Sequence, residues 1–343
     1  SISSYRKWFT GVLFRDKIQE AFDNTDDDGH TTMPVISFDY RYSNLCNFKC
    51  RMCGEQLSSS WEAEKKLNNM WTVEQQPFMQ KDVKKKMTTF QTEVVEPEFR
   101  EAISKGIVEE IYWVGGEPLM YDIHWWALEE MIKNGSAKNC YLRYNSNLSR
   151  TELKGKKLFD YLPQFKDWLM CASIDGTGEI VEFIRKGIVW EQWLENFKEG
   201  LAAPGGKDKM LFDLTITGPG MFSIKDLFDL SLELDVRIET KIMFAFHPDI
   251  IFSPFAWPKH ILLRKIDELL EYIEPRATHK QSTLINTLHE MKKRPSFEEQ
   301  YPEEFEQGKK NGKGFQDRLD NIRDEKITIA DIYKADDELY EWW

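Results

Sequence analysis

The sequence predicts an α/β fold organised around a parallel sheet. From Pro34 onward, short apolar runs alternate with stretches of helical spacing, the pattern that crossover connections produce. The runs are Val35–Tyr42, Glu110–Val114, Cys140–Tyr144, Trp168–Ile174, Met210–Thr217 and Arg237–Phe246. Polar and glycine-bearing motifs fall at their C-terminal ends, where barrel-type parallel sheets gather their chemistry. Composition alone does not separate a barrel from a doubly wound sheet. A chain of 343 residues buries a sizeable core and is most simply one large α/β unit with appendages.

Residues 5–22 have helical spacing, with Trp8, Phe9, Val12, Leu13 and Phe22 as the expected buried face. The acidic run from Asp23 to Gly29 ends this helix. As a calcium loop it would start with Asn24, Asp26, Asp28 and Gly29, but Val35 stands where a bidentate Glu is needed, so a solvated turn is expected. About sixty residues separate Cys53 from Gly115, too many for one helix and two short loops. Segments 57–70, 79–92 and 97–105 have helical character and form an insertion over about 55–107. It either covers the mouth of the sheet, meets a partner or packs as a plain hairpin. After Phe246, Pro248, Pro254 and Pro258 punctuate a linker, and amphipathic helices are expected at 259–273, 280–293, 297–310 and 314–341. The expected division is an N-terminal helical extension (1–33), a central α/β unit (34–247) and a C-terminal helical region (248–343).

Lys+Arg of 46 against Asp+Glu of 58 gives a net charge of −12, which argues against charge-driven binding to nucleic acid or anionic lipid. Residues 296–343 carry 7 basic and 14 acidic side chains and so supply over half of that charge. Arg41–Arg51 is locally basic instead, which suits an anionic group nearby. No apolar stretch is long enough to span a bilayer and no signal-peptide pattern begins the chain. Few cysteines, clustered at ligand spacing, fit a reducing compartment, and a cytoplasmic location is expected. The twelve tryptophans, Trp342 and Trp343 included, are expected as core anchors rather than a site.

Three of the five cysteines lie in Cys46-Asn-Phe-Lys-Cys50-Arg-Met-Cys53. Three thiolates hold three corners of a [4Fe–4S] cube and leave the fourth iron open to bind and split a small molecule. Zinc sites of this size usually show two Cys/His pairs, whereas Cys140 and Cys171 stand alone in apolar runs and no His is close in sequence. An odd, tight trio cannot pair internally as disulfides. One strand later comes Trp113-Val-Gly115-Gly116-Glu117-Pro118, where paired glycines permit close backbone approach and a carboxylate can accept from an ammonium group.

On these two motifs the chain resembles the radical S-adenosylmethionine (SAM) enzymes, whose signature is Cys-x3-Cys-x2-Cys on the loop after the first barrel strand. Within them it is similar to the SPASM/twitch-type branch, over about residues 34–247. The resemblance implies a partial (β/α)6 TIM-like barrel, with an N-terminal helix, the helical insertion after the first strand and a C-terminal helical region. It assigns the cluster to Cys46, Cys50 and Cys53, and the methionine amino group of SAM to Gly115, Gly116 and Glu117. Asn145-Ser146-Asn147 occupies the place of a Thr-Asn-Gly segment near SAM and substrate, although turn preference explains it almost as well. Ser173 and Arg185, with Asp175 between them, match positions that contact the SAM carboxylate and ribose; a surface ion pair is the other reading of Arg185. Thr215 and Thr217 match a segment that packs on adenine, Met52 stands where an aromatic residue is common, and His247 either contacts ribose or substrate or is structural.

The implied activity is one-electron cleavage of SAM to methionine and a 5′-deoxyadenosyl radical, which takes a hydrogen atom from substrate. A peptide or protein substrate, and a reductant protein such as flavodoxin or ferredoxin, follow from the branch. The first 33 residues look short for a leader-binding module, which keeps a small metabolite or nucleotide open. No cysteine follows Cys171, a departure from the branch that points to one cluster without auxiliary ones. An electron-transfer protein would be expected to show a fourth cysteine ligand and would leave Gly115–Glu117 without a role, and a zinc-stabilised interaction protein would bind zinc and be indifferent to oxygen.

Overall fold

The computed structural model describes residues 13–70, 79–242 and 248–343, and for Tyr40 and Ile242 the backbone. The expected positions Trp8, Phe9, Val12 and His247, and the end of the sixth run, lie outside the described residues.

Six strands form one sheet: β1 (Ser37–Tyr40), β2 (Glu110–Trp113), β3 (Tyr141–Ser146), β4 (Asp167–Ile174), β5 (Met210–Ile216) and β6 (Arg237–Ile242). Each pairs in parallel with the next, in the spatial order β1-β2-β3-β4-β5-β6. A doubly wound sheet would reverse direction at a switch point. This order has no reversal, and among the described residues β1 and β6 do not pair, so the sheet is wound as an open, partial barrel.

Alternation along the strands separates two faces. Trp168, Met170, Ala172 and Ile174 of β4 are buried, and Leu169, Cys171 and Ser173 between them are half-buried. The apolar face packs on the crossover helices. Trp113 and Tyr144 meet His124 of helix Asp122–Asn134 edge-on at 4.8 and 5.5 Å. Phe212 meets Phe197 of helix Trp190–Ala202 at 4.7 Å. The opposite face carries Tyr112, Arg143, Asn145, Cys171, Asp213 and Lys241. It is a polar face held in register by the sheet.

The insertion holds helix Ser59–Leu67, N-capped by Ser58, and one long helical run from Lys81 to Ser104. The sequence separates two helices there at Pro97. In the structure a π-turn, Gln91–Val95, joins them, since a looser turn tolerates the N–H that proline lacks.

In the C-terminal region, helices Lys259–Ile273 and Ser282–Lys293 agree with expectation. The next two do not. Helices Phe297–Gln300, Phe305–Arg323, Ile329–Tyr333 and Asp337–Trp342 replace them, two of them started by capping boxes at Ser296/Glu299 and Thr328/Asp331. Phe305, Tyr333 and Leu339 belong to the same apolar core as the sheet. At the other end, the described part of the N-terminal segment is a short turn and helix Ile18–Asp23, with Leu13 half-buried. Phe22 is 72% exposed, not buried, because the last turn of so short a helix lies clear of the sheet. Asp26 accepts from the backbone N–H of Asp28 and His30, which makes the acidic run a hydrogen-bonded turn. Among the described residues no helix is long and apolar enough to cross a membrane.

Candidate functional site

The three thiols sit on the loop that leaves β1, and neighbouring elements hold this loop at nearly every residue. Helix Ser59–Leu67 grips it from one side: Ser58 donates to Phe48 O at 2.6 Å, Ser60 to Cys46 O at 2.7 Å and the Trp61 indole to Cys50 O at 2.7 Å. From the other side, the N–H groups of Lys49 and Arg51 donate to the carbonyls of Lys186 and Ile184. Gly187 (φ +115°) makes that approach possible, since a Cβ there would lie 2.9 Å from the Phe48 ring and 3.0 Å from Asn47 O.

The Gly-Gly-Glu turn after β2 grips the start of the loop. Glu117 N–H donates to Leu45 O at 2.7 Å, and a Cβ on Gly116 (φ +55°) would fall 2.5 Å from the same carbonyl oxygen. The Glu117 carboxylate is fully buried. It accepts from Leu119 N–H (3.1 Å), the Ser146 hydroxyl (2.8 Å) and Asn147 N–H (2.7 Å). Burial pushes its carboxyl above the ordinary value, and those donors pull it back. Glu117 thereby ties the end of β2 to the end of β3, where the Asn147 amide reaches the Cys46 sulfur at 3.8 Å. Between this turn and the insertion lies a cavity of about 390 Å³, lined in part by Tyr42, Asn44, Met79, Met87, Gly115 and Gly116. The insertion roofs this end of the sheet.

Arg185 and Asp175 form a buried pair beneath the thiols. Nε and Nη2 of Arg185 meet the two carboxylate oxygens at 2.6 and 2.9 Å, and Thr215 N–H adds a bond to Asp175 at 3.2 Å. Burial opposes the guanidinium charge, but Asp175, Cys50 and Cys53 outweigh it, so Arg185 is held firmly charged. Burial also raises the Asp175 carboxyl, against the pull of Arg185. The geometry supports an ion pair, because a guanidinium does not give up its proton. Arg185 is therefore a buried rather than a surface ion pair, within electrostatic reach of two thiols.

All five cysteines are free. Burial pushes Cys46 up to about 12. Cys50 and Cys53 share a hydrogen bond that raises Cys50 and lowers Cys53, with Arg185 favouring the thiolate in both. Among the described residues no three His, Cys, Asp or Glu side chains converge on a point where a single ion would sit. A four-iron cube takes one thiolate per iron, so its ligands need not converge on a single point. Three soft ligands on a tightly held loop, with a buried cation beside them, fit an anionic iron–sulfur cluster.

Other expected residues fall into two groups. Ser173 and Thr215 are half-buried on the polar face, and Met52 is half-buried on the cysteine loop itself. Asn145 stands on that face between the Tyr112 hydroxyl (2.7 Å) and Asp213 (2.5 Å), and Lys241 pairs with the same Asp213 oxygen at 2.5 Å. Thr217 is set apart: it is fully buried, and its hydroxyl accepts from Gly220 N–H at 3.0 Å. Cys140 is buried at the start of β3, away from the loop, and Cys171 lies on the polar face of β4. The sequence reading missed Gly187, Trp61, Asp213 and Lys241; alternation along β5 and β6 is the signal that points at the last two. The locally basic run does not face an open anion. Arg51 pairs with Asp320 and Glu325, Lys49 with Glu64 and Arg41 with Asp39.

Among solved structures, the chain is similar to anSMEcpe with bound AdoMet (17% identity, TM-score 0.45, covering 70% of this chain and 60% of that one). It is also similar to Streptococcus suis SuiB bound to precursor peptide SuiA (14% identity, TM-score 0.42, covering 84% and 57%). The chain thus spans about 60% of the length of the solved proteins it matches. No curated protein sequence matches it. A sequence profile described as the radical SAM superfamily matches residues 40–221, just over half of the chain, from the last residue of β1 through the end of β5. This chain belongs to the radical SAM superfamily.

Proposed function

We propose that the chain reductively cleaves SAM and directs the resulting hydrogen-atom abstraction at a polar substrate, first a peptide or protein, bound on the polar face of the sheet. The observation that carries this reading is the cysteine loop of Cys46, Cys50 and Cys53 held against the segment that bears the buried Arg185–Asp175 pair, with Asn147 at the end of β3 reaching the Cys46 sulfur. When bound there, the [4Fe–4S] cluster supplies the electron that splits the sulfonium of SAM, and the 5′-deoxyadenosyl radical takes the hydrogen atom. The protein's own part is binding, orientation and exclusion of water.

Three thiols on a loop fixed by backbone and indole hydrogen bonds hold the cluster without rearrangement of the chain. Asp175 engages Nε and Nη2 of Arg185, which leaves Nη1 to donate to the SAM carboxylate beside Cys50 and Cys53. Gly115 and Gly116 open the backbone toward the methionine amino group. Glu117 acts mainly by fixing Asn147 against Cys46, since its oxygens already accept three bonds. Trp61 and Phe48, both buried, close the loop to water. Tyr112, Asn145, Asp213 and Lys241 alternate donor and acceptor groups across the polar face, which suits a substrate with amide and charged groups rather than an apolar one. We treat 34–247 as the catalytic unit, in a reducing, cytoplasmic setting with a flavodoxin- or ferredoxin-type reductant.

Anaerobic reconstitution with iron and sulfide, then dithionite and SAM, tests the reading. 5′-Deoxyadenosine is expected from the parent and none from Cys50→Ala. A parent that holds its cluster yet makes no 5′-deoxyadenosine overturns the enzyme assignment. A mass change in a co-expressed peptide, absent with Cys50→Ala, is the expected sign of the substrate class; conversion of a small metabolite alone would contradict it.

A further inference from the structure

We propose that helix Phe305–Arg323 and the turn after it position the cysteine loop through Arg51, so that the C-terminal region sets the geometry of the cluster rather than merely covering the sheet. This rests on the cluster assignment above.

Arg51 lies between Cys50 and Cys53, and its side chain is wholly buried. Its guanidinium is satisfied on every edge. Nε donates to Phe183 O at 3.2 Å, Nη1 to Gln316 Oε1 at 2.9 Å, and Nη2 to Asp320 and to Glu325 Oε1 at 3.1 Å. Its flat face rests on the Phe183 ring at 3.8 Å. Gln316, Asp320 and Arg323 share one face of the C-terminal helix at helical spacing. The third of them pairs with Glu64 at 2.7 Å, and Glu64 also takes Lys49 of the cysteine loop at 2.6 Å.

The same carboxylate that holds Arg51 also holds the segment opposite. Glu325 accepts from Lys186 at 2.8 Å. Lys186 and Ile184 flank Arg185, and their carbonyls accept from Lys49 and Arg51 N–H at 2.7 and 2.8 Å. One C-terminal side chain therefore ties together the loop that bears the thiols and the segment that bears Arg185. Burying four charged groups for stability alone is inefficient, because an apolar set of similar volume does as well. A geometric requirement accounts for them. A cluster held by Cys46, Cys50 and Cys53 would depend on both segments, so loosening either one would change how firmly three thiolates hold it and where the Arg185 charge stands.

The test uses the full-length protein with Arg51→Met, Arg51→Lys, Asp320→Asn and Glu325→Gln, reconstituted anaerobically beside the parent. The readouts are iron release to a chelator, the electron paramagnetic resonance spectrum of the reduced protein and the cluster's midpoint potential. Arg51→Met is expected to release iron about tenfold faster or more, as losses behind metal ligands typically do. Its spectrum and potential should shift, Asp320→Asn and Glu325→Gln should lie between, and Arg51→Lys should restore part of the retention. Iron retention, spectrum and potential equal to the parent in all variants would overturn the clamp while leaving the cluster in place. A parent that binds no iron overturns the cluster assignment and the clamp with it. Should Arg51→Met fail to fold, the two carboxylate variants decide by the same readouts.

Discussion

Replacing Arg185 by Leu leaves Asp175 buried with no counter-charge. In the parent, two guanidinium nitrogens lie within 2.9 Å of that carboxylate and Thr215 N–H is the remaining contact at 3.2 Å. Breaking a buried pair from one side costs about 3–5 kcal/mol. The carboxylate has an escape, however: it can take up a proton. Neutralising a carboxylate whose ordinary value is about 3.9 costs about 1.4 kcal/mol per pH unit above that value, hence about 4 kcal/mol at pH 7 and about 1.5 kcal/mol at pH 5. The sign follows from linkage. In the variant the folded state raises the Asp175 value above the unfolded one, so stability is present at low pH and is lost as pH rises. Urea unfolding of parent and variant, without cluster, at pH 5 and pH 7 measures this. The stability gap should widen by about 2.5 kcal/mol from pH 5 to pH 7, and Arg185→Leu with Asp175→Asn should remove the pH dependence. A gap that stays constant with pH would refute the buried-pair reasoning.

His124 is buried among Trp113, Trp125 and Tyr144, and burial pushes it down to about 3. Its unfolded state therefore binds the extra proton, and stability should fall as pH drops from about 6.5 toward 3, by up to about 5 kcal/mol; His124→Phe should flatten that acid limb in thermal unfolding. Gly187→Ala places a methyl group 2.9 Å from Phe48 at φ +115°, so a lower melting temperature and reduced iron content after reconstitution are expected. Asp213→Asn keeps the shape of the polar face and removes the partner of Lys241. It should spare 5′-deoxyadenosine formation and lower substrate conversion about tenfold or more, read as product against 5′-deoxyadenosine. Equal coupling in parent and Asp213→Asn would move the substrate away from that face.

The six strands were legible because parallel strands buried on one face read as short apolar runs, and the expected bounds differ from those of β2 to β5 by two residues at most. The thiol triplet and the Gly-Gly-Glu turn were legible for another reason: each is a local pattern whose chemistry needs little from the rest of the chain. What escaped depends on distant partners. Arg51 and Glu325 lie 274 positions apart, and nothing near Arg51 in sequence marks it as buried. One expected helix ends at residue 310 and the next starts at 314, within what is the single helix Phe305–Arg323. In the structure Gly308 and Gly312 stay helical and let the helix rest on Pro248 and Asp249. Pro97 misled in the same way, since the π-turn that accommodates it leaves no periodicity of its own. Alternation along β5 and β6 marked which face Asp213 and Lys241 share, but not that they meet.

The account turns on Cys46, Cys50 and Cys53 holding a cluster that would leave one iron open to SAM. The most direct measurement is the electron paramagnetic resonance spectrum of the reduced, reconstituted protein with and without SAM. A [4Fe–4S] signal that changes when SAM is added, and that is absent from Cys46→Ala, Cys50→Ala and Cys53→Ala, is the predicted result. A signal that is the same with and without SAM, or a protein that takes up zinc in place of iron, would contradict it.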